Sequence, residues 1–226
     1  MSAVELTARE MLTTTRTVRK RLDLTRPVER DVVEDCLRLA FQAPNGSNQQ
    51  RWHWVLVDDA VTRAAMADLY RTTMDEYIAA MSARRASGSA PPQSGGPAQT
   101  RMAASVMHLR EHLHEVPVLL VPAMRGRLDG ASIFEQASRW ASVVPAVWSF
   151  MLALRLNGMG SAWTTLHLHR EADMAELLGI TSSCTQVGLF PVAYTVGTEF
   201  KPADRSASEA TIHWNRWTSP DAAPAD

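Results

Sequence analysis

The sequence has little of what several protein classes require. Two cysteines in 226 residues, Cys36 and Cys184, make no disulfide framework, and without a pairing motif they fit a reducing compartment. Neither sign of charge dominates. Lys and Arg total 23 against 24 Asp and Glu, a formal net charge of −1, so the broad basic field used in nonspecific nucleic-acid binding is missing. The first six residues carry neither the basic start nor the apolar run of an export signal, and no uninterrupted apolar stretch approaches the roughly 20 residues that span a bilayer. A cytoplasmic protein with no nucleic-acid partner and no membrane is expected. Catalytic turns are scarce too. Gly-x-Ser-x-Gly is absent, neither cysteine has an activating His nearby in sequence, and Gly158-Met159-Gly160 lacks the third glycine of a dinucleotide turn and enters a strand.

What is present suits one enzyme-sized domain over residues 1–226, with 46% hydrophobic residues and no internal repeat. Apolar residues at helical spacing predict a core helix over residues 28–42, ended by Pro44. A strand over 54–57 follows, then a helix from about 60 to 81 that Asp59 caps. Residues 84–100, rich in Gly, Ser and Pro, read as a flexible insertion or lid. Downstream, the pattern predicts a helix over 101–115, a buried strand over 118–121 and a long helix over 132–157 that Pro145 kinks. That helix is apolar nearly all round and needs partners on every side, within the chain or from a second copy. A strand over 160–165, a helix over 170–178 and a strand over 185–196 complete the core. The arm over 200–217 carries Ile212, Trp214 and Trp217, too apolar for a free end.

Three clusters bear on chemistry. Thr14 to Arg21 sets four cations and a run of hydroxyls after a short N-terminal helix, a combination suited to clamping a phosphate. Ala43 to Trp54 packs turn formers, Asn48, Gln49 and Gln50, and the indoles of Trp52 and Trp54 into one loop; the carboxamides suit the edge of a heteroaromatic ring and the indoles its faces. His108, His112 and His114 resemble part of a zinc site, but nothing nearby completes four ligands, so no metal is expected; a solvated helix face is the simpler reading. His167 and His169 follow a strand end and are compatible with either a structural or a site role.

Taken in order, these segments resemble the FMN-dependent nitroreductase family over roughly residues 10–217. Arg16-Thr17-Val18-Arg19 is similar to its Arg-Ser-x-Arg pattern, with Thr for Ser, and Asn48 to Trp54 to its Asn-x-Gln-Pro-Trp-x-Phe pattern, with Arg51 for Pro. Gly158 to Thr165 is similar to the family's Gly-Leu-Gly strand entry, and Pro202 to Arg205 with Trp214-Asn215 to its C-terminal ending. The resemblance implies an α+β three-layer fold, a small mostly antiparallel sheet flanked by helices, with the C-terminal tail exchanged in a homodimer. It also implies FMN, with NAD(P)H as reductant and a small-molecule electron acceptor such as a nitroaromatic or quinone, reduced by ping-pong hydride transfer. Cofactor contacts then fall on Arg16, Thr17, Arg19, Lys20 and Arg205 at the phosphate and ribityl chain. Ser47, Asn48 and Gln50 fall at the ring, and the backbone of Thr164, Thr165 and Leu166 near its N5. No protein nucleophile is needed. Other flavin reactions in such a family, dehydrogenation or dehalogenation, and an FMN-binding carrier or sensor that does not turn over, remain alternatives.

Overall fold

The computed structural model describes residues 4–89, 96–203 and 211–217. Helix α1 (Ala8–Thr14) starts with a capping box in which the Glu10 N–H donates to Thr7 Oγ1 while the Glu10 carboxylate accepts from the Thr7 N–H. Helix α2 (Arg30–Ala40) buries Val33, Cys36, Leu37 and Ala40, one stripe at helical spacing. Strand β1 (Trp52–Val57) leads to α3 (Ala60–Ala86), where Asp59 Oδ2 accepts from the Thr62 N–H at 2.8 Å, the cap expected from the sequence. Helix α4 (Pro97–His112) starts earlier than expected because Pro97 occupies its first turn, where a missing N–H costs nothing. The 84–100 segment is therefore helical at both ends; residues 90–95 lie outside the described residues.

Strand β2 (Val118–Arg125) precedes α5 (Ile133–Leu156), which runs as one continuous helix through Pro145, where a kink was expected. By length and mean hydropathy alone α5 could cross a bilayer, although Glu135, Gln136, Arg139 and Arg155 interrupt its apolar run. Here it is a core helix that buries Val143, Val147, Phe150 and Leu154 against α2 and the sheet. Strand β3 (Met159–Ser161) is shorter than the expected 160–165. Beyond it Thr164 makes a single bridge to Leu189, a 3-10 turn spans Leu166–Arg170, and α6 (Glu171–Leu178) ends at Gly179 in the left-handed conformation. The expected strand over 185–196 is two strands, β4 (Cys184–Gln186) and β5 (Phe190–Tyr194). They are separated at Gly188, where an added Cβ would lie 2.6 Å from Trp163 Nε1.

All strand pairs are antiparallel in the order β1-β2-β5-β3, with β4 also on β2. Alternation along β2 makes the layers: Val118, Leu120 and Met124 face α2 and α5, while Leu119 and Val121 face α3, α4 and α6. The expected three-layer α+β fold with a small antiparallel sheet is the one observed. Val144 and Trp148 of α5 stay partly exposed, and Ile212, Trp214 and Trp217 are exposed on this chain.

The segment after α1 is fastened along β3. Thr17 pairs in parallel with Ser161, the Val18 N–H donates to the Ser161 carbonyl at 2.8 Å, and Leu22 pairs with Thr195. The approach demands a bare backbone at Gly160, where a Cβ would meet Thr195 at 2.8 Å and Val18 at 2.9 Å. Both neighbours are β-branched and confined, so Gly160→Ala is expected to cost about 1–3 kcal/mol in urea unfolding. An unchanged midpoint would show that the contact is loose.

Candidate functional site

Fastening residues 17–22 to β3 sets Arg19 over a cleft of about 320 Å³ between the sheet end and helices α3 and α4. Tyr70, Met74 and Tyr77 of α3 and Val106 of α4 form one wall; Trp163, Thr164, Thr165, Leu166 and His169 form the other. Arg19 is half-buried and donates to Ser105 Oγ at 3.3 Å. Burial works against its charge and lowers its proton affinity, with the Tyr70 phenol acting the other way. The same burial pushes the Tyr70 phenol up, and Arg19 partly offsets it. Among the described residues no carboxylate lines the cleft.

The far wall is rigid. Trp163 Nε1 donates to the Val187 carbonyl at 3.2 Å, and its ring packs on Phe190 with centroids 5.3 Å apart. Thr164 exchanges backbone hydrogen bonds with Leu189 at 3.1 and 2.8 Å, and its hydroxyl also donates to that carbonyl. Its side chain thus serves the fold, while the exposed Thr165 opens the 3-10 turn, whose first N–H groups have no partner inside the turn.

His167 and His169 divide their roles. His169 lies at the cleft mouth with its ring 6.1 Å from that of Tyr77. His167 is fully buried, with Nε2 3.2 Å from Gln186 Oε1. Gln186 Nε2 donates to the Glu171 carbonyl at 2.8 Å, which turns the amide oxygen toward the imidazole and puts the ring hydrogen on Nε2. Nδ1 is then a buried acceptor with no partner.

The carboxamide loop lies elsewhere. Its 3-10 turn, Gly46–Asn48, is fixed to α5 by the Gly46 N–H donating to Ser142 Oγ at 2.9 Å. Ser47, Asn48 and Gln50 have φ of 53°, 52° and 45°, a left-handed run that costs non-glycine residues about 1–3 kcal/mol each. Asn45 Oδ1 accepts from the Gln50 N–H at 3.0 Å, and Gln50 Nε2 donates to Asn48 Oδ1 at 3.1 Å, so the turn is tied internally. The indoles expected as walls for a ring serve the core instead: Trp54 packs between Phe41 and Phe150, and Trp52 stacks on Phe41. Only Trp52 borders the shallow hollow of about 30 Å³ beside Gln49, Gln50 and Arg51.

Of the expected site residues, Arg19, Thr164, Thr165 and Leu166 meet in one cleft. Arg16 and Thr17 adjoin it on the same segment; Arg16 Nη1 donates to the Lys201 carbonyl at 3.0 Å, and Lys20 is exposed on the next turn. Ser47, Asn48 and Gln50 are not brought to that cleft, and Arg205 lies outside the described residues. The hollow beside Gln50 is bounded by Met124 and Val143 of the α2/α5 layer, the cleft by Tyr70 and Met74 of the opposite layer. Within one chain the two groups sit on opposite faces of the sheet. Among the described residues no group of three His, Cys, Asp or Glu is arranged to hold a metal ion, and His112 Nδ1 is 2.7 Å from Glu115 Oε1. Tyr70, Met74 and Val106 went unnoticed in the sequence; the signal for Tyr70 was a polar aromatic on the buried stripe of α3.

One antiparallel sheet between two helical layers, with a cation-edged cleft at the end of β3, defines a three-layer α+β protein. Residues 12–194 match the model of the Nitroreductase family, and the chain belongs to that family. Among solved structures it is similar to iodotyrosine deiodinase bound to FMN and 3-iodo-L-tyrosine (18% identity, 92% of this chain and 98% of that one, TM-score 0.68). A BluB-like flavoprotein from Clostridium difficile 630 aligns at 15% identity over 94% and 100% of the two chains, TM-score 0.67. The FMN and NADPH-dependent nitroreductase NfnB from Sphigopyxis sp. strain HMH aligns at 19% over 93% and 100%, TM-score 0.63. At these identities the likeness establishes the fold. No curated protein matches the sequence.

His167 supplies a test of the wall behind the cleft. Burial brings its proton affinity down from the ordinary 6.5 to about 4. Unfolded chains therefore take up a proton below about pH 6.5 while folded ones wait until about pH 4, and acid through that window favours unfolding. Stability is expected to fall by up to about 3 kcal/mol across it, at about 1.4 kcal/mol per pH unit. His167→Gln should remove that slope from urea unfolding at stepped pH; an identical slope in the variant would contradict the assignment.

Proposed function

We propose that this protein is an FMN-dependent oxidoreductase that uses NAD(P)H to reduce an electron-poor small molecule such as a nitroaromatic or quinone. The observation that carries the reading is the convergence of Arg19, Tyr70 and the backbone after Thr164 on one cleft with no carboxylate among its described lining residues. That donor set fits a planar ring whose edge carries acceptor oxygens and nitrogens. The fit extends outward, since Arg16, Thr17 and Lys20 continue the same segment as charged and hydroxyl donors suited to a phosphate. Bound there, FMN would supply the chemistry of hydride transfer between reduced nicotinamide and acceptor.

The chain's own residues do the positioning. Arg19 favours added negative charge at the ring edge it faces, and the low dielectric of its half-buried setting strengthens that effect. The backbone of Thr165 and Leu166 presents donors that Trp163 and the Thr164–Leu189 pairing keep in place. His169 and Tyr77 stand at the mouth with their rings 6.1 Å apart, where nicotinamide and acceptor would enter in turn.

We further propose a homodimer in which the Asn48 loop of one copy completes the Arg19 cleft of the other. Three features support it: loop and cleft occupy opposite sheet faces within one chain, Val144 and Trp148 leave an apolar strip on α5, and the apolar tail is bare. The tail would then lie on the second copy, as the resemblance implied.

Purified protein is expected to show flavin absorption that bleaches with anaerobic NADPH or NADH and recovers on adding a nitroaromatic or quinone. Arg16→Ala combined with Arg19→Ala should fold and be colourless. A wild-type protein that is colourless and takes up no added FMN would sink the reading, and stoichiometric flavin in the double variant would refute the phosphate clamp.

A further inference from the structure

Tyr70 is the most deeply buried of the residues with a polar side chain that line the cleft. The period of α3 turns Met66, Ala67, Tyr70, Thr73 and Met74 inward, and Tyr70 is 2% exposed in the apolar cluster beneath the cleft. A buried phenol ordinarily has its hydroxyl paired. Tyr194 of this chain follows that rule, donating to Glu29 Oε2 at 2.8 Å. Tyr70 does not: among the described residues its hydroxyl makes no protein hydrogen bond, and it keeps solvent access where the residue borders the cleft. Phenylalanine would fill the same space at no polar cost.

The neighbour sharpens the point. Arg19 and Tyr70 are close enough for each to perturb the other's protonation, and Arg19 spends one N–H on Ser105. A guanidinium and a phenol thus border a cleft whose described lining residues offer no carboxylate to accept from them. Two unquenched donors side by side call for a ligand with adjacent acceptor atoms, and the oxygen- and nitrogen-bearing edge of a flavin ring supplies them.

We propose that Tyr70 is a cofactor-contacting residue, its hydroxyl donating a hydrogen bond to the acceptor edge of the flavin ring beside Arg19. The inference rests on the FMN reading above. Because reduction adds electron density to the ring, the bond is stronger to the reduced cofactor, so Tyr70 raises the flavin potential as well as the affinity.

Tyr70→Phe keeps the ring and removes the donor. The flavin-free wild type and variant are titrated with FMN by fluorescence quenching, the midpoint potentials of the loaded proteins are measured by dye equilibration, and the stability of both flavin-free proteins is measured in urea. The expected result is roughly two- to tenfold weaker FMN binding and a lower potential, with flavin-free stability retained or raised. Equal affinity and potential in wild type and variant would overturn the proposal while leaving the FMN reading intact. A variant whose flavin-free form is less stable would also overturn it, because the hydroxyl would then serve the fold. Wild-type protein that takes up no FMN would remove both readings together.

Discussion

The contact between Val18 and Gly160 is the constraint on which the site depends. A segment carrying Arg16, Arg19, Lys20 and Arg21 would by charge alone spread into solvent. The ladder of Thr17, Val18 and Leu22 along β3 and β5 prevents that, and it closes only because residue 160 has no side chain. From this one seam Arg19 reaches the cleft, while Arg21 turns outward to the C-terminal segment, donating to the carbonyls of Val196, Gly197 and Glu199 at 2.7–2.9 Å. Arg16 joins the same segment at Lys201. The basic cluster is thus divided between the cleft and the C-terminal segment, and its members are not interchangeable.

The opposite wall shows the same economy. Gly188 breaks what the sequence presents as a single apolar strand, and the gap admits Trp163 against Phe190. Behind it the His167, Gln186, Glu171 and Arg127 network joins the 3-10 turn to β4 and α6, with Arg127 Nη2 donating to Glu171 Oε2 at 2.8 Å. A buried polar chain of this kind fixes the turn after Thr165 in one geometry, and the neutral imidazole in it is the acid-sensitive link.

Much of this was legible in the sequence. Helices α2, α3, α5 and α6 follow from apolar spacing and caps such as Asp59, because those signals are local. The Arg16–Arg19 and Thr164–Leu166 segments were recognisable by residue type and order, and Arg19 does meet Thr164 in the fold. Features set by how layers meet were not legible. Trp52 and Trp54 alternate on a strand, so which face they share depends on the sheet's partner, and that partner is the core helix α5. The break at Gly188 depends on an indole 25 residues earlier in the chain, and Tyr70 acquires meaning only when Arg19 is set opposite it. The separation of the Asn48 loop from the Arg19 cleft is likewise a property of the sheet, since residues adjacent in a motif table can end on opposite faces.

That separation makes shared sites between two copies the central claim. It is tested most directly by isolating, through two different tags, the mixed dimer of an Arg16→Ala/Arg19→Ala chain with an Asn48→Ala/Gln50→Ala chain and measuring its bound FMN. One of the two sites in that dimer joins an intact cleft to an intact loop, so the account predicts about half the wild-type flavin content from two parents that each bind little. A mixed dimer as empty as its parents would contradict it.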